Sequence, residues 1–421
     1  MSTDTRPTDL APTNDDEPVL LDWLRTMREQ HPVWQDRYGI WHVFRHADVE
    51  AITRDPATFS PTPPELVPAG AEVRCGMLTQ IDPPEHRALR HLVSAAFIPR
   101  TVAALEPRIR AVTGELLDAA GERFDLVDAL AFPLPVIVIA ELLGLPAEDR
   151  EMFRTWADGL FSMQVDDPSD PELAPRIAAA MADITAYLTE HCRHRRADPC
   201  EDLISALVTT EVDGRRLDDE EAANFSMLLL LAGHITTTLL LGNAVRTLDE
   251  HPGVWDELRA DPSLIPGAVE EVLRYRSPFT QVGRATLRPA EVGGVTIPAD
   301  ALVTPWLLSA NRDARAHPEP DRFDIRRGLG GGAQLAFGHG VHFCLGAPLA
   351  RLEARVALEE LTARYRALPV DHDAVARAGG CGTTSGASSA PGTCPCTLSP
   401  REQVGLVFQR TWPWQRYCMV Y

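Results

Sequence analysis

No proline interrupts residues 217–250, so this segment can form one continuous helix. It opens on the acidic run DDEE, which favours a helix N-terminus because the helix dipole is positive there. Its middle, FSMLLLLAGHITTTLLLG, is almost entirely apolar. At about 1.5 Å per residue, the helix would be roughly 50 Å long. The segment therefore predicts a large fold with one long helix through its interior.

The rest of the chain is also mainly helical in pattern. Apolar residues recur at helical spacing in five further segments, 20–31, 86–97, 102–120, 172–196 and 347–365. A short strand pair is predicted at 38–44, and short strands with turns at 282–304, where Val, Gly and Pro are frequent. Without an internal repeat, these elements predict a mainly α fold of the α+β kind, in a single domain over residues 19–378.

The two ends of the chain differ from this domain. Residues 1–18 are polar and acidic, which predicts a disordered leader rather than a signal peptide. Residues 379–421 begin with a low-complexity stretch and hold four of the eight cysteines. This atypical tail is interpreted as a frameshift in GC-rich coding sequence or as a disordered or divergent segment, whose CPC run could then hold a metal ion.

Charge and composition exclude several classes of function. A formal net charge of -20 argues against a nucleic-acid partner. The chain contains no lysine, which excludes a P-loop lysine and a pyridoxal Schiff base. The apolar stretches at 126–145 and 225–242 carry polar or charged residues and are interpreted as core helices rather than membrane spans. The protein is expected to be cytoplasmic, with reduced cysteines.

The strongest chemical signal is FGHGVHFCLG at 337–346. A cysteine just before a helix has its thiolate favoured by free backbone N–H groups, which makes Cys344 a suitable ligand for haem iron. Gly338 and Gly346 allow the chain to bend and to approach a flat ring closely, and Phe337 would shield the sulfur. A buried cysteine in a glycine-rich turn is the simplest alternative. A zinc site is a second, although the two histidines and the cysteine lie too close together for paired-ligand spacing.

This string matches the haem-binding signature of the cytochrome P450 family, F-G-x-G-x-H-x-C-x-G, at every defined position. The resemblance implies a helical prism with small antiparallel β-sheets around a buried haem b. It further implies a monooxygenase in which Cys344 is the axial ligand of the iron.

A second family motif has a structural role. Glu271 and Arg274 lie three residues apart on one helix face, and such a pair is most often a surface salt bridge. In the family this pair joins an arginine from a later loop, and the resemblance assigns that place to Arg322 in PEPDRF.

Basic residues are expected around the two haem propionates. His86 and Arg90 are four residues apart in DPPEHRALR and share one helix face. The resemblance adds Arg284 and His342 to this set. Read alone, each of the four is more often a surface cation.

The long helix carries the family's oxygen-side motif as AGHITT, residues 232–237. The resemblance implies that Ala232 and Gly233 leave room for oxygen, and that Thr236, with Thr237 beside it, is the catalytic candidate. The alternative is a core helix whose threonines bond their own carbonyls. The family usually has an acid before this threonine, and the chain has Ile235 instead, so protons would come through waters, His234 or a substrate hydroxyl.

Within the family, residues 20–50, 232–252 and 335–353 most resemble macrolide-tailoring hydroxylases of actinomycetes. This implies C–H hydroxylation of a macrolide by a monomer that receives two electrons from a ferredoxin and ferredoxin reductase. Oxidation of another natural product, such as epoxidation, and a non-catalytic haem sensor are the alternatives. The residues expected to line the substrate pocket are Met77, Leu78, His234, Ile235, Phe279, Gln281 and Val282.

Overall fold

A computed structural model of the chain describes residues 11–12, 17–61, 77–94, 97–121, 123–149, 151–153, 155–156, 173–212, 214–327, 333–372 and 406–407. The predicted leader, most of the predicted tail and most of the loop expected beside the substrate pocket lie outside these residues. The domain boundaries proposed from the sequence therefore stay predictions, although the first helix already begins at Glu17.

The described residues form thirteen α-helices and eleven short strands. The helices are α1 Glu17–Gln30, α2 His46–Arg54, α3 Glu85–Ser94, α4 Pro99–Ala103, α5 Glu106–Ala120, α6 Pro133–Leu143, α7 Leu173–Ala197, α8 Leu203–Thr209, α9 Asp219–Glu250, α10 Pro252–Ala260, α11 Ile265–Tyr275, α12 Leu307–Asn311 and α13 Ala347–Arg364. The strands are β1 Val33–Gln35, β2 Trp41–Val43, β3 Phe59–Ser60, β4 Phe124–Asp125, β5 Glu211–Val212, β6 Arg215–Arg216, β7 Arg284–Thr286, β8 Ala290–Val292, β9 Val295–Ile297, β10 Leu302–Pro305 and β11 Leu406–Val407.

The predicted central helix is α9, which packs against α6, α7 and α13. It begins at a capping box: the Glu221 N–H donates to the Asp218 side chain (2.8 Å) and the Asp218 N–H donates to the Glu221 side chain (3.0 Å). The helix is long and apolar enough to cross a membrane, and more than half of its most apolar 18-residue stretch is buried in the molecule. That burial is typical of the core helix of a globular protein.

Two predicted helices are divided. The 102–120 pattern is split into α4 and α5, and α5 begins at Glu106 with Pro107 in its first turn. The apolar 126–145 stretch forms a π-helical turn at Val127–Ala131 followed by α6, which starts on Pro133. Proline has no N–H to donate, so each helix restarts where that donor is not needed.

A five-stranded sheet lies beside the helical body in the order β1-β2-β10-β7-β3. β2 and β10 are parallel, and the other pairs in the sheet are antiparallel. β8 and β9 form a hairpin whose two turn residues, Gly293 and Gly294, have positive φ of 56° and 82°. In the predicted tail, β11 pairs in parallel with β4. β7 begins at Arg284, so the sheet positions one of the expected haem-contacting side chains.

The described residues form one large apolar core among the helices, a smaller one between α2 and the five-stranded sheet, and a third that packs α1 against Phe44 and Trp306. The residue Leu335 belongs to the smaller core, whereas Ala336, next in the chain, belongs to the larger. The loop that carries Cys344 therefore starts between the two cores, and α13 ends it in the larger one. This packing holds both ends of the loop.

Candidate functional site

The loop before α13 is held by its own backbone and by α2. The N–H of Cys344 donates to the carbonyl of Phe337 (2.9 Å), which closes the turn. Gly340 has a φ of 74°, and a Cβ on it would lie 2.7 Å from the carbonyl oxygen of Thr53. No other residue fits this position, because both the conformation and the close approach exclude a side chain. Gly338, two residues earlier in the loop, also has a positive φ of 70°.

Cys344 is solvent-accessible as a residue, although protein atoms crowd its sulfur and backbone N–H groups lie beside it. Burial among protein atoms raises the pKa of the thiol, whereas the backbone N–H groups of Gly346 and Ala347 and the charges of Arg90 and Arg351 lower it. Every lowering contribution stabilises the thiolate. Burial outweighs these contributions, so the pKa of the thiol is raised overall and the predicted anionic sulfur depends on a bound metal ion. A soft metal ion that binds thiolate fits the neighbouring N–H groups and arginines.

Aromatic rings flank the sulfur-bearing loop. The guanidinium of Arg351 lies 4.5 Å above the ring of Phe337, and this ring meets Phe343 edge-on at 6.2 Å. Arg351 also pairs with Glu270 on α11. The cation therefore fixes the ring that was expected to shield the sulfur.

Three of the side chains expected at the propionates, those of His86, His342 and Arg284, lie around one carboxylate, Asp82. His86 is 1% exposed, and both of its ring nitrogens are buried without a partner in the described part of the chain. Its ring lies 4.5 Å from that of His342, whose Nε2 is 3.4 Å from Asp82. Burial lowers the pKa of His86 to about 4 and that of Arg284 to about 10. Orphaned donors and a poorly paired guanidinium fit a dianionic group such as the two propionates of haem.

Arg90, the fourth of these cations, turns toward the cysteine loop. Its guanidinium donates to the carbonyls of Val341 (3.1 Å) and Phe343 (2.7 Å). Its charge is also among those that lower the pKa of Cys344. The structure therefore shows Arg90 positioning the loop.

One stripe of α9 is less buried than the rest of the helix. Ala232 is exposed, and Gly233, Ile235 and Thr236 are partly exposed, in the middle of an otherwise buried helix. The Thr236 hydroxyl donates to the carbonyl of Ala232 (2.9 Å), which is the back-bonding expected of a helical threonine. This accessible stripe is where a core helix can face a ligand.

Two predicted residues lie on the opposite side of α9. His234 is 3% exposed and meets the ring of Phe132 edge-on at 4.9 Å, so its placement in the substrate pocket is corrected. Thr237 is 1% exposed and hydrogen-bonds the buried Glu353 on α13, so its catalytic assignment is corrected as well. The reason is helical geometry: neighbouring residues differ by about 100° around a helix axis, since 3.6 residues make a turn.

The ion pair of Glu271 and Arg274 is buried, and the arginine that joins it is not the one predicted from the sequence. Glu271 and Arg274 are each 3% exposed at the side chain and form a bidentate pair with both distances 2.8 Å. The arginine that joins them is Arg327, whose Nε lies 3.1 Å from Glu271. Arg322 was predicted there, but its side chain is 62% exposed and only its carbonyl contacts Arg274. The conformation of the loop decides which arginine turns inward, and the spacing of residues in the sequence does not reveal it.

The remaining pocket candidates lie in two places. Met77 and Leu78 are buried residues at the start of the short helical turn before α3, and both belong to the large core. Phe279 and Val282 pack partly against the smaller core, beside β7. Gln281 between them has a buried side-chain oxygen without a partner in the described residues.

The zinc alternative has no geometric support in the described residues. Nowhere in them do three His, Cys, Asp or Glu side chains gather as a metal site would require. His339 contacts Arg54 (2.8 Å), whereas His342 contacts Asp82, so these two histidines turn to different partners.

Sequence reasoning missed Glu353. This carboxyl is 1% exposed between α13 and α9, and burial raises its pKa to about 8 although the hydrogen bond with Thr237 lowers it. It is therefore protonated at neutral pH. Nothing in the sequence marked it, because RLEAR reads like the solvent-facing part of a helix.

Glu353 predicts a pH-dependent stability. The unfolded carboxyl ionises near pH 4.5, whereas the folded one stays protonated to about 8, so the free energy of unfolding falls as pH rises between these values. At about 1.4 kcal/mol per unit, the total loss is on the order of 2–4 kcal/mol after relaxation. Glu353→Gln should remove this decline, as measured by urea unfolding from pH 5 to 8. The exposed Glu115→Gln is the matched control, and a Glu353→Gln protein with the full wild-type slope would contradict the assignment.

The chain belongs to the cytochrome P450 family, whose model, described as "Cytochrome P450", matches residues 33–377. It is 65% identical to the erythromycin C-12 hydroxylase of Saccharopolyspora erythraea over 365 residues, 87% of this chain and 92% of that protein. It is 48% identical to the cyclomarin C epoxidase CymV of Salinispora arenicola, over 83% of this chain and 89% of that protein. A solved structure of a mutant of P450 EryK in complex with erythromycin B superimposes with a TM-score of 0.82 at 65% identity, covering 86% of this chain and 92% of that chain.

The family confirms four predictions: the P450 fold, the mainly helical class, the monooxygenase activity and the haem-thiolate cofactor. P450 hydroxylases act on small molecules and take electrons from redox partners, so this coarser part of the partner prediction also holds. The cysteine motif that led to the family lies within the matched residues.

Proposed function

We propose that this chain hydroxylates an unactivated C–H bond of a macrolide antibiotic intermediate. The observation that carries the proposal is the 65% identity to an erythromycin C-12 hydroxylase over 87% of the chain. A structural neighbour at the same identity binds erythromycin B, which is a macrolide of the expected kind. Electrons would come from a ferredoxin and its reductase, and the protein would act as a cytoplasmic monomer.

Haem, when bound, supplies the reductive activation of O2. The chain would hold it by the Cys344 thiolate, and His86, Arg284 and His342 would bind its propionates. The supporting observations are the donors around the sulfur and the orphaned nitrogens of His86. Arg90 would keep the loop in place through its two carbonyl contacts.

The accessible stripe of α9 would form the oxygen side of the site. The small residues Ala232 and Gly233 leave room there, and the Thr236 hydroxyl, which donates to its own helix, keeps its oxygen free to accept from a water. Ile235 supplies no proton, and His234 lies buried on the other side with its pKa lowered to about 4 by burial. We therefore assign proton delivery to water held at Thr236.

The substrate would lie against a mostly apolar surface. Met77, Leu78, Phe279 and Val282 offer carbon surface, and the Gln281 amide offers one polar group. Such a lining suits a large lactone, because apolar contacts bind the ring and a few polar groups orient it.

Thr236→Ala tests the proton assignment. The variant is expected to keep its haem spectrum and to form at least about tenfold less product per electron consumed, since positioned proton transfer contributes about 10²-fold or more. Product and peroxide are quantified together under steady electron supply. Thr236→Ser, which keeps the hydroxyl, should restore coupling. Unchanged coupling in the alanine variant would remove Thr236 from the proton path.

A macrolide panel tests the proposed function. Holoenzyme is titrated with erythromycin-type macrolides and with unrelated natural products, and turnover is measured with a ferredoxin system and mass spectrometry. A macrolide should shift the haem to high spin and gain one oxygen atom. Spectral shifts and turnover restricted to non-macrolide ligands would refute the proposal.

Epoxidation is the second candidate, favoured by the 48% identity to cyclomarin C epoxidase. The same turnover assay distinguishes the two reactions when the panel includes a macrolide with an isolated double bond. Epoxide formation in preference to C–H hydroxylation would favour this candidate.

A further inference from the structure

A cavity of about 330 Å³ lies between α1, the end of α11 and the residue that ends α12. Leu21, Leu24 and Tyr275 supply apolar wall, and Arg28 and Arg312 supply positive charge. We call it the arginine cavity. None of these residues has a part in the site described above.

Arg28 is a buried cation with spare donors. It is 4% exposed, and among the described residues only the N–H groups on one terminal nitrogen have acceptors, the carbonyl (3.2 Å) and the hydroxyl (3.1 Å) of Ser309. Its Nε is buried without a partner, and in the described part of the chain no carboxylate lies within 4 Å of the guanidinium. Burial lowers the pKa of Arg28, and the charge of Arg312 lowers it further.

The acids near Arg28 are already used. Asp313 and Glu29 favour its charged form from a distance, but both form ion pairs with Arg315 (3.1 and 2.8 Å). Buried guanidinium groups normally have a paired anion, because an unpaired charge is costly to remove from water. Arg28 is an exception.

The second guanidinium is also incompletely paired. Arg312 is 4% exposed, lies 3.7 Å above the ring of Tyr275 and donates to the carbonyl of that residue. Its carboxylate partner, Asp321 (3.0 Å), has a 63% exposed side chain, so water weakens this pair. The two arginines thus share a cavity whose own carboxylates, Asp22 and Asp321, are largely exposed to solvent.

We propose that the arginine cavity binds a small organic monocarboxylate between Arg28 and Arg312. Guanidinium groups match a carboxylate in geometry and charge, and the apolar wall favours a ligand with a compact hydrocarbon body. Asp321 and Asp22, which pairs with the exposed Arg25, lie at the rim and disfavour anions of higher charge. This inference is independent of the proposed function.

Benzoate is the probe, with benzamide and inorganic phosphate as neutral and inorganic comparisons. Calorimetry and thermal unfolding of the holoenzyme should show millimolar benzoate binding, with at least tenfold weaker binding of the other two. Arg28→Met, which keeps the length of the side chain, should weaken benzoate binding at least tenfold, and Leu21→Trp should block it by filling the cavity. Arg37→Met, at an exposed position outside the cavity, is the matched control and should bind like wild type.

Folding of each variant is checked by haem content and circular dichroism, and Leu21→Trp keeps the test valid if Arg28→Met does not fold. Benzoate that fails to bind, or binds Arg28→Met and Leu21→Trp as tightly as wild type, overturns the proposal. So does benzoate that shifts the haem spectrum, because it then sits at the haem.

Discussion

Replacing Cys344 with serine is expected to abolish hydroxylation, by a factor of at least about 10³, because electron donation by the thiolate favours O–O cleavage. Two backbone N–H groups and the charges of two arginines favour an anionic sulfur, although burial raises the pKa of the thiol overall. A serine hydroxyl is far less acidic and does not ligate iron as an anion at neutral pH. The reduced carbon monoxide spectrum should accordingly lose its thiolate-type band.

The matched control is Cys200→Ser, a change at an exposed free cysteine far from the site in sequence. It should retain the spectrum and the activity. A Cys344→Ser protein that kept a thiolate-type spectrum would mean that another residue ligates the iron, and the account of the site would fail.

The second large effect is expected at the buried pair. Glu271→Ala leaves Arg274 and Arg327 without their carboxylate in a site where the side chains of the pair are 3% exposed. Removing one partner of a buried ion pair costs about 3–5 kcal/mol, because the remaining charge is uncompensated. Since Arg274 also donates to the carbonyls of Asn311 and Pro320, the loop toward Cys344 should loosen and haem retention should fall. Urea unfolding and haem content measure both effects.

Arg322→Ala and Arg327→Ala separate the two candidate third members. The exposed Arg322 should change the free energy of unfolding by less than about 0.5 kcal/mol, as surface substitutions usually do. Arg327 pairs with Glu271 and donates to three carbonyls, so its loss should cost on the order of 2 kcal/mol or more. The reverse ranking would restore the sequence-based assignment of Arg322.

Elements with a strong local signal were predicted well. The central helix was expected over 217–250 and spans 219–250, because its capping residues and apolar run specify a helix without help from the rest of the chain. The helix after the cysteine was expected over 347–365 and ends at 364. The 102–120 pattern was less accurate, since the break between α4 and α5 depends on packing as well as on Pro107.

The facing of side chains was harder to predict. Sequence alone treats Thr236 and Thr237 as one motif, but the packing of α9 on α13 turns the first toward the accessible stripe and the second toward Glu353. His234 is turned inward because α9 packs there against Phe132, which directly precedes α6. A long helix that is buried on nearly every side has no amphipathic pattern, so its sequence does not show which residues lie on which side of the helix.

By itself the sequence determined the family and the cofactor and predicted Cys344 as the ligand, because a turn of glycines around one cysteine before a helix is encoded in consecutive residues. The tertiary structure decided which distant groups meet: Arg327 with Glu271, His86 with His342, and Glu353 with Thr237. Burial and charge pairing depend on contacts between residues far apart in the chain. Those contacts exist only once the helices have packed.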